Sequence, residues 1–376
     1  SYFKSLKLVV GIKYILVKKL KFFYAFEVPA LVMLGYYLGG WWNFLAIGFA
    51  FLVLPVVDQW IGIDTSNVED SKAKIIGEQF YYRFVTYIWT FVQLAFLFWG
   101  VFVVSTGTLI TWYEWTGFVI SFSLVTGGIG ITVAHELGHK KSSLERFYSK
   151  LLLMTVSYMH FYIEHNRGHH VQVATLNDPA TSRKNESFYK FWLRSVFKGY
   201  THAWQLEIES LKRKGLSAFH PKNQMIWFAL LPLAFCFVLT LLFSPPGSIN
   251  WQIPIFFFAQ SFFAFTLLEL VNYVEHYGIL RKEKDGRHER VNPLHSWNSS
   301  HVISNFFLFQ LQRHSDHHAN AIKRYQILNH YDDSPQLPFG YPTMIIIALI
   351  PPLWFRMMNP RLESWEGKVY HQQAAA

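Results

Sequence analysis

Histidines recur in this chain in pairs and triplets at spacings that suit metal binding. The motifs read His-Glu-Leu-Gly-His, His-Asn-Arg-Gly-His-His and His-Ser-Asp-His-His, with one further histidine in Asn-Tyr-Val-Glu-His-Tyr-Gly. Neutral imidazole is the commonest protein metal ligand, and helix positions three and four apart share a face. Nine such rings exceed the three or four ligands that one tetrahedral zinc takes, so the sequence predicts at least two metals. The candidates are His135, His139, His165, His169, His170, His276, His314, His317 and His318.

Each motif also has an ordinary interpretation. A single histidine is usually a surface residue or a hydrogen-bonded core residue. His-Glu-x-x-His alone is a zinc-protease signature, but that reading leaves most of the clustered histidines unused. A metal-storage loop would be polar and of low complexity, whereas these motifs lie among apolar runs. Repetition of the clusters near apolar runs therefore favours a metal centre inside a membrane protein.

The composition is that of a membrane protein. Of 376 residues, 52% are hydrophobic and 19% aromatic, which is more apolar side chain than a water-facing surface accommodates. The single cysteine, Cys236, excludes thiolate zinc sites, iron–sulfur clusters and disulfides within the sequence. The net charge of +10 comes mainly from Lys and Arg between apolar runs, which indicates anchored loops and no binding of nucleic acid.

Apolar runs predict an all-α protein with six transmembrane helices. The stretch 22–57 is too long for one crossing of a hydrocarbon core about 30 Å thick, so it is expected to fold as a hairpin turning at Gly39 and Gly40. The predicted spans are 22–40, 41–57, 84–104, 112–134, 225–243 and 251–274.

Charge distribution predicts which side the histidines occupy. The connections 105–111 and 244–250 contain no Lys or Arg, whereas Lys4, Lys7, Lys13, Lys18, Lys19 and Lys21 lie before the first span. The positive-inside rule then puts the N-terminus in the cytoplasm. Since each span reverses the side on which the chain emerges, the six spans predict that every histidine motif lies on the cytoplasmic side. We expect a single membrane domain, 1–376, with a cytoplasmic, metal-holding cap formed by 135–224 and 275–376.

Three apolar stretches inside the cap are too short or too broken to cross. The run 151–163 separates the first two motifs, and a crossing there would put the second motif on the opposite face. We expect 151–163 to form a helix that lies along the interface or packs in the cap. The same is expected of 302–311 and of 341–355, which prolines interrupt.

Helical offsets from His135 and His276 predict neighbours of the metals. The positions four, seven, eight and eleven residues before His135 share its helix face, and two of them are glycines. These glycines either leave room for a substrate chain or allow close helix packing. The same offsets before His276 give apolar and polar residues. Candidate channel residues are Leu124, Gly127, Gly128, Ile131, Phe265 and Leu268. Candidates to orient ligand imidazoles are Glu269, Asn272, Glu136, Glu164, Glu275 and Asp316.

In order and context, these four motifs resemble those of the bacterial membrane-bound alkane 1-monooxygenases. The resemblance runs from the first hairpin to the tail after His318, and is more distant to the histidine-box desaturases and hydroxylases. Segments 272–278 and 292–298 favour the alkane family. In place of the family's Pro-Glu-Asp-Pro-Ala-Ser, this chain reads Leu-Asn-Asp-Pro-Ala-Thr at 176–181. That departure touches no candidate ligand.

The resemblance implies a site and a reaction. The nine histidines would ligate two non-haem irons, with O2 as co-substrate and no catalytic side chain beyond the ligands. The reaction would be terminal hydroxylation of linear medium-chain alkanes to primary alcohols. Electrons would come from rubredoxin, with rubredoxin reductase upstream, and stretches 212–214 and 281–284 could steer such an acidic partner or contact lipid. The implied location is the bacterial inner membrane.

Other classes remain open at this stage. A lipid desaturase or hydroxylase would use the same histidine motifs on an acyl chain. An intramembrane zinc protease or a non-catalytic metal carrier would form no alcohol. Preferred alkane length, the partition of histidines between metals, a bridging species, the oligomeric state and a rubredoxin fused to the same polypeptide do not follow from the residues.

Overall fold

The computed structural model describes residues 20–374, and they are mainly helical. Five of the lysines used to orient the chain, Lys4 to Lys19, lie outside the described residues. The helices, numbered along the chain, are α1 (Glu27–Leu38), α2 (Gly40–Ile61), α3 (Asp70–Glu78), α4 (Phe80–Ser105), α5 (Trp112–Gly138), α6 (Ser143–Met154), α7 (161–172), α8 (Phe188–Lys212), α9 (Gln224–Phe243), α10 (Gln252–His276), α11 (Val302–Phe307), α12 (His314–Ala319), α13 (Tyr341–Ala348) and α14 (Pro351–Ala374). Strands β1 (Glu283–Lys284) and β2 (Arg287–His288) form a short antiparallel ladder.

Five helices in residues 20–374 are long and apolar enough to cross a membrane: α2, α4, α5, α9 and α10. They confirm five of the six predicted apolar helices, with ends a few residues longer than the sequence indicated. The first arm of the expected hairpin is also helical, but it begins as the 3₁₀ turn Lys21–Phe26 before α1. The hairpin turns at Gly39 and Gly40, whose φ angles of 71° and 57° lie in the left-handed region that glycine adopts most easily.

Helix α5 lies at the centre of the bundle and packs closely against α10. In its most apolar 18-residue window, α5 is 78% buried, the highest share among the five long helices. The contact is close because Gly127 lacks a side chain: a Cβ there would lie 2.6 Å from the Cα of Ala264 on α10. Close backbone approach through small residues is a common way for membrane helices to pack.

A buried polar layer ties three of these helices to the segment before the second histidine motif. The Gln93 amide donates to the Thr155 hydroxyl at 2.8 Å, and the Gln260 amide donates to the Thr155 backbone carbonyl at 2.8 Å. Thr126 donates to the Gln260 side-chain oxygen at 2.8 Å. Because unpaired polar groups are costly in an apolar interior, this network fixes the turn that leads into α7.

One expectation for the cap is wrong in detail. The run 151–163 is not one helix: α6 ends at Met154, Ser157 adopts a left-handed φ of 51°, and α7 begins at Phe161. Hydrogen bonds from the polar layer to Thr155 hold the chain where the helix ends. The stretch 341–355 is interrupted at its prolines as expected: α13 ends at Ala348 and Pro351 starts α14, a position that proline favours.

The two glycines of α5 give a first prediction. Gly127→Ala should destabilise the protein by about 1–3 kcal/mol, because the added methyl meets backbone that cannot move aside. Gly128→Ala is the matched control, since its nearest neighbour is a leucine methyl at 3.3 Å, the end of a flexible side chain. Thermal unfolding in detergent should separate the two variants, and equal midpoints would contradict the packing described for α5 and α10.

Candidate metal centre

Four helical segments bring the candidate ligands together. The C-terminal end of α5 carries His135 and the residue after it carries His139, while α10 ends at His276. Helix α7 carries the second motif and α12 the third. All nine predicted histidines lie in this one region of the protein.

The nine rings form two groups, each offering nitrogens that lie within 4.8 Å of one another. The first group is His135, His139, His165, His170 and His317. The second group is His169, His276, His314 and His318. We call them the five-histidine group and the four-histidine group. Sequence reasoning predicted at least two metals but did not predict this partition.

Neighbours in sequence are divided between the groups. His169 and His170 on α7 belong to different groups, as do His317 and His318 on α12. The His170 and His318 rings, one from each group, have centroids 4.4 Å apart. Because two helices each supply both groups, the groups are built as one unit and cannot move independently.

The spacing of the ring nitrogens fits a cation at the centre of each group. In the five-histidine group the Nε2 atom of His165 lies 3.1 Å from Nε2 of His139 and 3.0 Å from Nε2 of His170. In the other group Nε2 of His318 lies 2.8 Å from Nε2 of His314 and 3.3 Å from Nε2 of His169. Two nitrogens each about 2.1 Å from one ion are about 3.0 Å apart at a right angle and about 3.4 Å apart at a tetrahedral angle.

Buried nitrogens without hydrogen bonds support the same interpretation. Both ring nitrogens of His317 and Nε2 of His135 are buried and have no hydrogen-bond partner in the described chain. Such orphans are rare in proteins because desolvating a polar atom is costly. A cation shared by the converging lone pairs would satisfy these atoms.

The protonation state of the histidine rings is also the one that metal binding requires. Burial away from water, reinforced by neighbouring imidazoles, holds the pKa of His139, His165 and His317 well below the usual histidine range. The rings are therefore neutral, as a metal ligand must be. His169 differs: burial lowers its pKa, but the carboxylates of Asp178, Glu164 and Glu275 together raise that pKa above the ordinary histidine value.

Asp178 is a residue that sequence reasoning missed. Its Oδ2 lies 2.9 Å from Nδ1 of His169, and it also accepts hydrogen bonds from the Thr181 hydroxyl at 2.6 Å and the Ala180 amide at 3.0 Å. A carboxylate on the distal nitrogen of a ligand histidine fixes ring orientation and raises basicity. The signal was present in the Asp-Pro-Ala-Thr segment, but nothing in its spacing linked that segment to His169.

The carboxylates proposed to orient ligands take different partners. Among these carboxylates, Glu275 contacts a candidate ligand: its Oε2 lies 3.2 Å from Nε2 of His314. Its Oε1 accepts a hydrogen bond from the Tyr341 hydroxyl. Glu136 forms a buried ion pair with Lys140 at 3.0 Å. Glu164 faces His202, Asp316 faces Lys323 and Tyr331, and Glu269 accepts from Tyr158.

An apolar cavity of about 120 Å³ opens onto both groups. Its wall includes His135 and His165 of the five-histidine group and His314 of the four-histidine group. The predicted channel residues that line it are Leu124, Gly127, Gly128, Ile131 and Leu268, together with Asn272.

Phe265 is an exception to the predicted channel, because it is absent from this wall. Its ring stacks on Tyr158 with centroids 4.7 Å apart. The wall on α10 includes Leu268 and Asn272 from the row that ends at His276, but it is centred closer to Val271 and Glu275. Helical offsets counted from His276 therefore selected a face turned partly away from the cavity.

Irregular helix accompanies the site. The helices α2, α5 and α7 contain π-helical stretches at Phe49–Val53, Leu124–Ile131 and Glu164–His169. The first two line the cavity and the third carries two candidate ligands. Such wide turns are frequent at functional sites, and sequence periodicity does not reveal them.

Comparison with known proteins gives consistent matches. A family model described as fatty acid desaturase matches residues 110–347. Alkane 1-monooxygenase 2 of Pseudomonas aeruginosa is 43% identical over 91% of this chain and 92% of its own length. Alkane 1-monooxygenase 2 of Alcanivorax borkumensis is 42% identical over 88% and 85%. The hydroxylase component XylM of the Pseudomonas putida xylene/toluene monooxygenase is 26% identical over 91% and 88%.

The Asp178 contact predicts an effect on metal affinity. Asp178→Asn should weaken metal binding at the four-histidine group by about 10–100-fold, because the ring of His169 loses its orienting carboxylate. Titration of the metal-free protein with Fe(II) or Co(II), followed by absorption, would measure this change while the five-histidine group binds as before. Asp332→Asn is the control, since Asp332 pairs with the non-ligand His330 and its side chain is 95% exposed. Equal affinities in both variants would contradict the role of Asp178.

Proposed function

Because the chain belongs to the alkane 1-monooxygenase family, we propose that it hydroxylates linear medium-chain alkanes at the terminal carbon, with O2 as oxidant. The observation that carries this proposal is the apolar cavity whose wall includes histidines of both groups. A substrate without polar atoms can be bound only by shape and by burial of its surface. The cavity offers aliphatic and aromatic walls for the chain and directs one end toward the rings.

We propose that each histidine group binds one iron. Imidazole accepts iron, copper and zinc alike, so the ligand type does not choose the metal. Zinc undergoes no redox change, whereas oxidation of a C–H bond by O2 requires electron transfer. When bound, two irons would supply the activation of O2, and the nine rings would hold them: five at one site and four at the other.

The protein's own residues would bind, align and shield the substrate. Leu124 and Gly128 on α5 face Leu267 on α10, and this pair of helices would guide an extended chain toward His135. Holding a terminal methyl beside the reaction space supplies the positioning that a small, featureless substrate lacks. No side-chain acid or base needs to act on the alkane itself.

Rubredoxin is the proposed electron donor, with a rubredoxin reductase upstream. The chain has one cysteine, Cys236, which is buried in α9, so it holds no iron–sulfur cluster by its own residues. Of the two basic stretches considered, Lys212 to Lys214 is exposed. Arg281 instead donates to the Val171 and Glu289 backbone carbonyls. We therefore favour the first stretch for steering an acidic partner.

We propose six crossings of the bacterial inner membrane, the first formed by 22–40, with the cap facing the cytoplasm. Residues 135–224 and 275–376 would make this cap within a single membrane domain, 1–376. The support is the absence of Lys and Arg from 105–111 and 244–250. An electron donor in the cytoplasm would then reach the histidine groups without crossing the bilayer.

One assay tests the activity. Purified protein loaded with Fe(II) and supplied with a reduced rubredoxin, O2 and n-octane should form 1-octanol. Zinc loading should give none, because zinc undergoes no redox change. Formation of a double bond in an added acyl lipid, with no alcohol, would instead favour a desaturase, and lack of any oxidised product would contradict catalysis.

The cavity predicts control of chain length. Gly128 substituted by Ala, Val and Phe should shorten the longest alkane accepted in that order, because the new side chain points at Leu267 and Leu124 across the passage. The product spectrum from a mixture of C6 to C16 alkanes would measure the cut-off.

Gly48→Phe serves as control for this series, since a Cβ at Gly48 meets no atom within 4 Å and Gly48 is not part of the cavity wall. An unchanged cut-off across the Gly128 series, in variants that retain metal, would rule out this path for the substrate.

A further inference from the structure

A second, smaller cavity lies beside the five-histidine group, and its lining is polar. It is bounded by Tyr158, Glu164, Ser195 and Glu269, and it shares His165, Phe161 and Asn272 with the wall of the apolar cavity. Its size is sufficient for about one water molecule. Asn272 therefore lines both the polar cavity and the apolar cavity that is proposed to bind the alkane.

Glu269 is the unusual group in this cavity. It lies within α10, a helix long and apolar enough to span a membrane, and its side chain is only 3% exposed. The Tyr158 hydroxyl donates to its Oε1 at 2.9 Å; the Ser195 and Asn272 side chains also approach the carboxyl group, but within residues 20–374 Oε2 accepts no hydrogen bond of good geometry. A buried carboxylate that is only partly paired is costly, so a proton or a water on the second oxygen would stabilise it.

The proposed reaction requires protons from outside the substrate. An alkane, O2, two electrons and two protons give one alcohol and one water, so the O–O bond breaks and one oxygen atom enters a C–H bond. The other oxygen atom leaves as water with the two added protons. The donor supplies the electrons, and the aliphatic stretch of the apolar cavity along Leu124, Gly128 and Leu267 has no titratable group. Glu275 lies on the same wall, but its two oxygens already face the Tyr341 hydroxyl and His314.

We propose that the small polar cavity is the proton entry of the enzyme, with Glu269 as its proton-carrying side chain. This proposal rests on the proposed function. A water held by Glu269 and Ser195 would pass a proton toward the reaction space, and the Asn272 amide would orient that water where the two cavities meet. Helix α8, which carries Ser195 and Gly199, forms the wall on the side away from the apolar cavity.

This role differs from the earlier expectation that Glu269 orients a ligand imidazole. A ligand-orienting residue would change metal affinity when altered, whereas a proton carrier would leave metal binding unchanged. Tyr158, which donates a hydrogen bond to Glu269, is neither a candidate metal ligand nor a carboxylate that contacts one. The two roles therefore separate by experiment.

The first test replaces Glu269 without changing its shape. Glu269→Gln still accepts from Tyr158 but carries no proton, so turnover should fall by at least about tenfold with full metal content. The fraction of consumed O2 recovered as alcohol should also fall, and the solvent isotope effect in D2O should increase. Glu269→Asp should restore part of the rate. Glu27→Gln, at the exposed start of α1, is the matched control.

A second variant closes the cavity without touching Glu269. A Cβ at Gly199 has as its nearest side-chain neighbour the Glu164 Cγ atom at 3.9 Å, so the helix accepts a side chain there. Gly199→Val should fill the space of the water and lower turnover and coupling in the same way as Glu269→Gln. This variant decides the question if Glu269→Gln does not fold.

Infrared spectroscopy of the metal-free protein gives a readout that needs no turnover. Glu269 should contribute the carbonyl band of a protonated buried carboxyl that shifts in D2O and disappears in Glu269→Gln. Absence of that band, unchanged rate and coupling in both variants, or loss of metal from Glu269→Gln would overturn the proposal. If the wild-type protein forms alcohol and the variants match it, only the proton entry fails. If the wild-type protein forms no alcohol, the proposed function fails as well.

Discussion

The structure depends on nine imidazoles that are gathered in two adjoining groups, six of them buried and three partly exposed. Their lone pairs converge at separations of about 3 Å, and several ring nitrogens find no hydrogen-bond donor within residues 20–374. Without a cation, the free energy lost by removing these rings from water would be offset by few hydrogen bonds. The polar layer on Gln93 and Gln260 and the close contact of α5 with α10 hold the helices that carry these rings.

Two cavities with opposite character meet at this metal centre. One is apolar and follows α5 and α10, as expected for a hydrocarbon chain. The other is small and polar and contains a buried carboxyl group. Both reach His165 and Asn272, so substrate and protons would arrive at the same place by separate paths. This separation would keep bulk water away from the reaction space while still allowing proton transfer.

The sequence was sufficient to select the nine histidines that the fold gathers and most of the helices, because both depend on local patterns. Histidines three and four residues apart share a helix face, and apolar runs near 20 residues predict long membrane helices. Their division into five and four did not follow, since in the π-helical part of α7 His165 shares its group with His170, five residues on, and not with His169, four residues on. Asp178 was missed because its contact with His169 depends on the fold of the intervening loop. Phe265 lies outside the cavity wall because its ring stacks on Tyr158 and the wall on α10 begins only at Leu267.

The central claim is that each histidine group binds one iron, and diffraction at the iron absorption edge tests it most directly. Anomalous difference maps from crystals of the iron-loaded protein should show two peaks per chain, one inside the five-histidine group and one inside the four-histidine group. A single peak, or peaks ligated by other residues, would contradict the account.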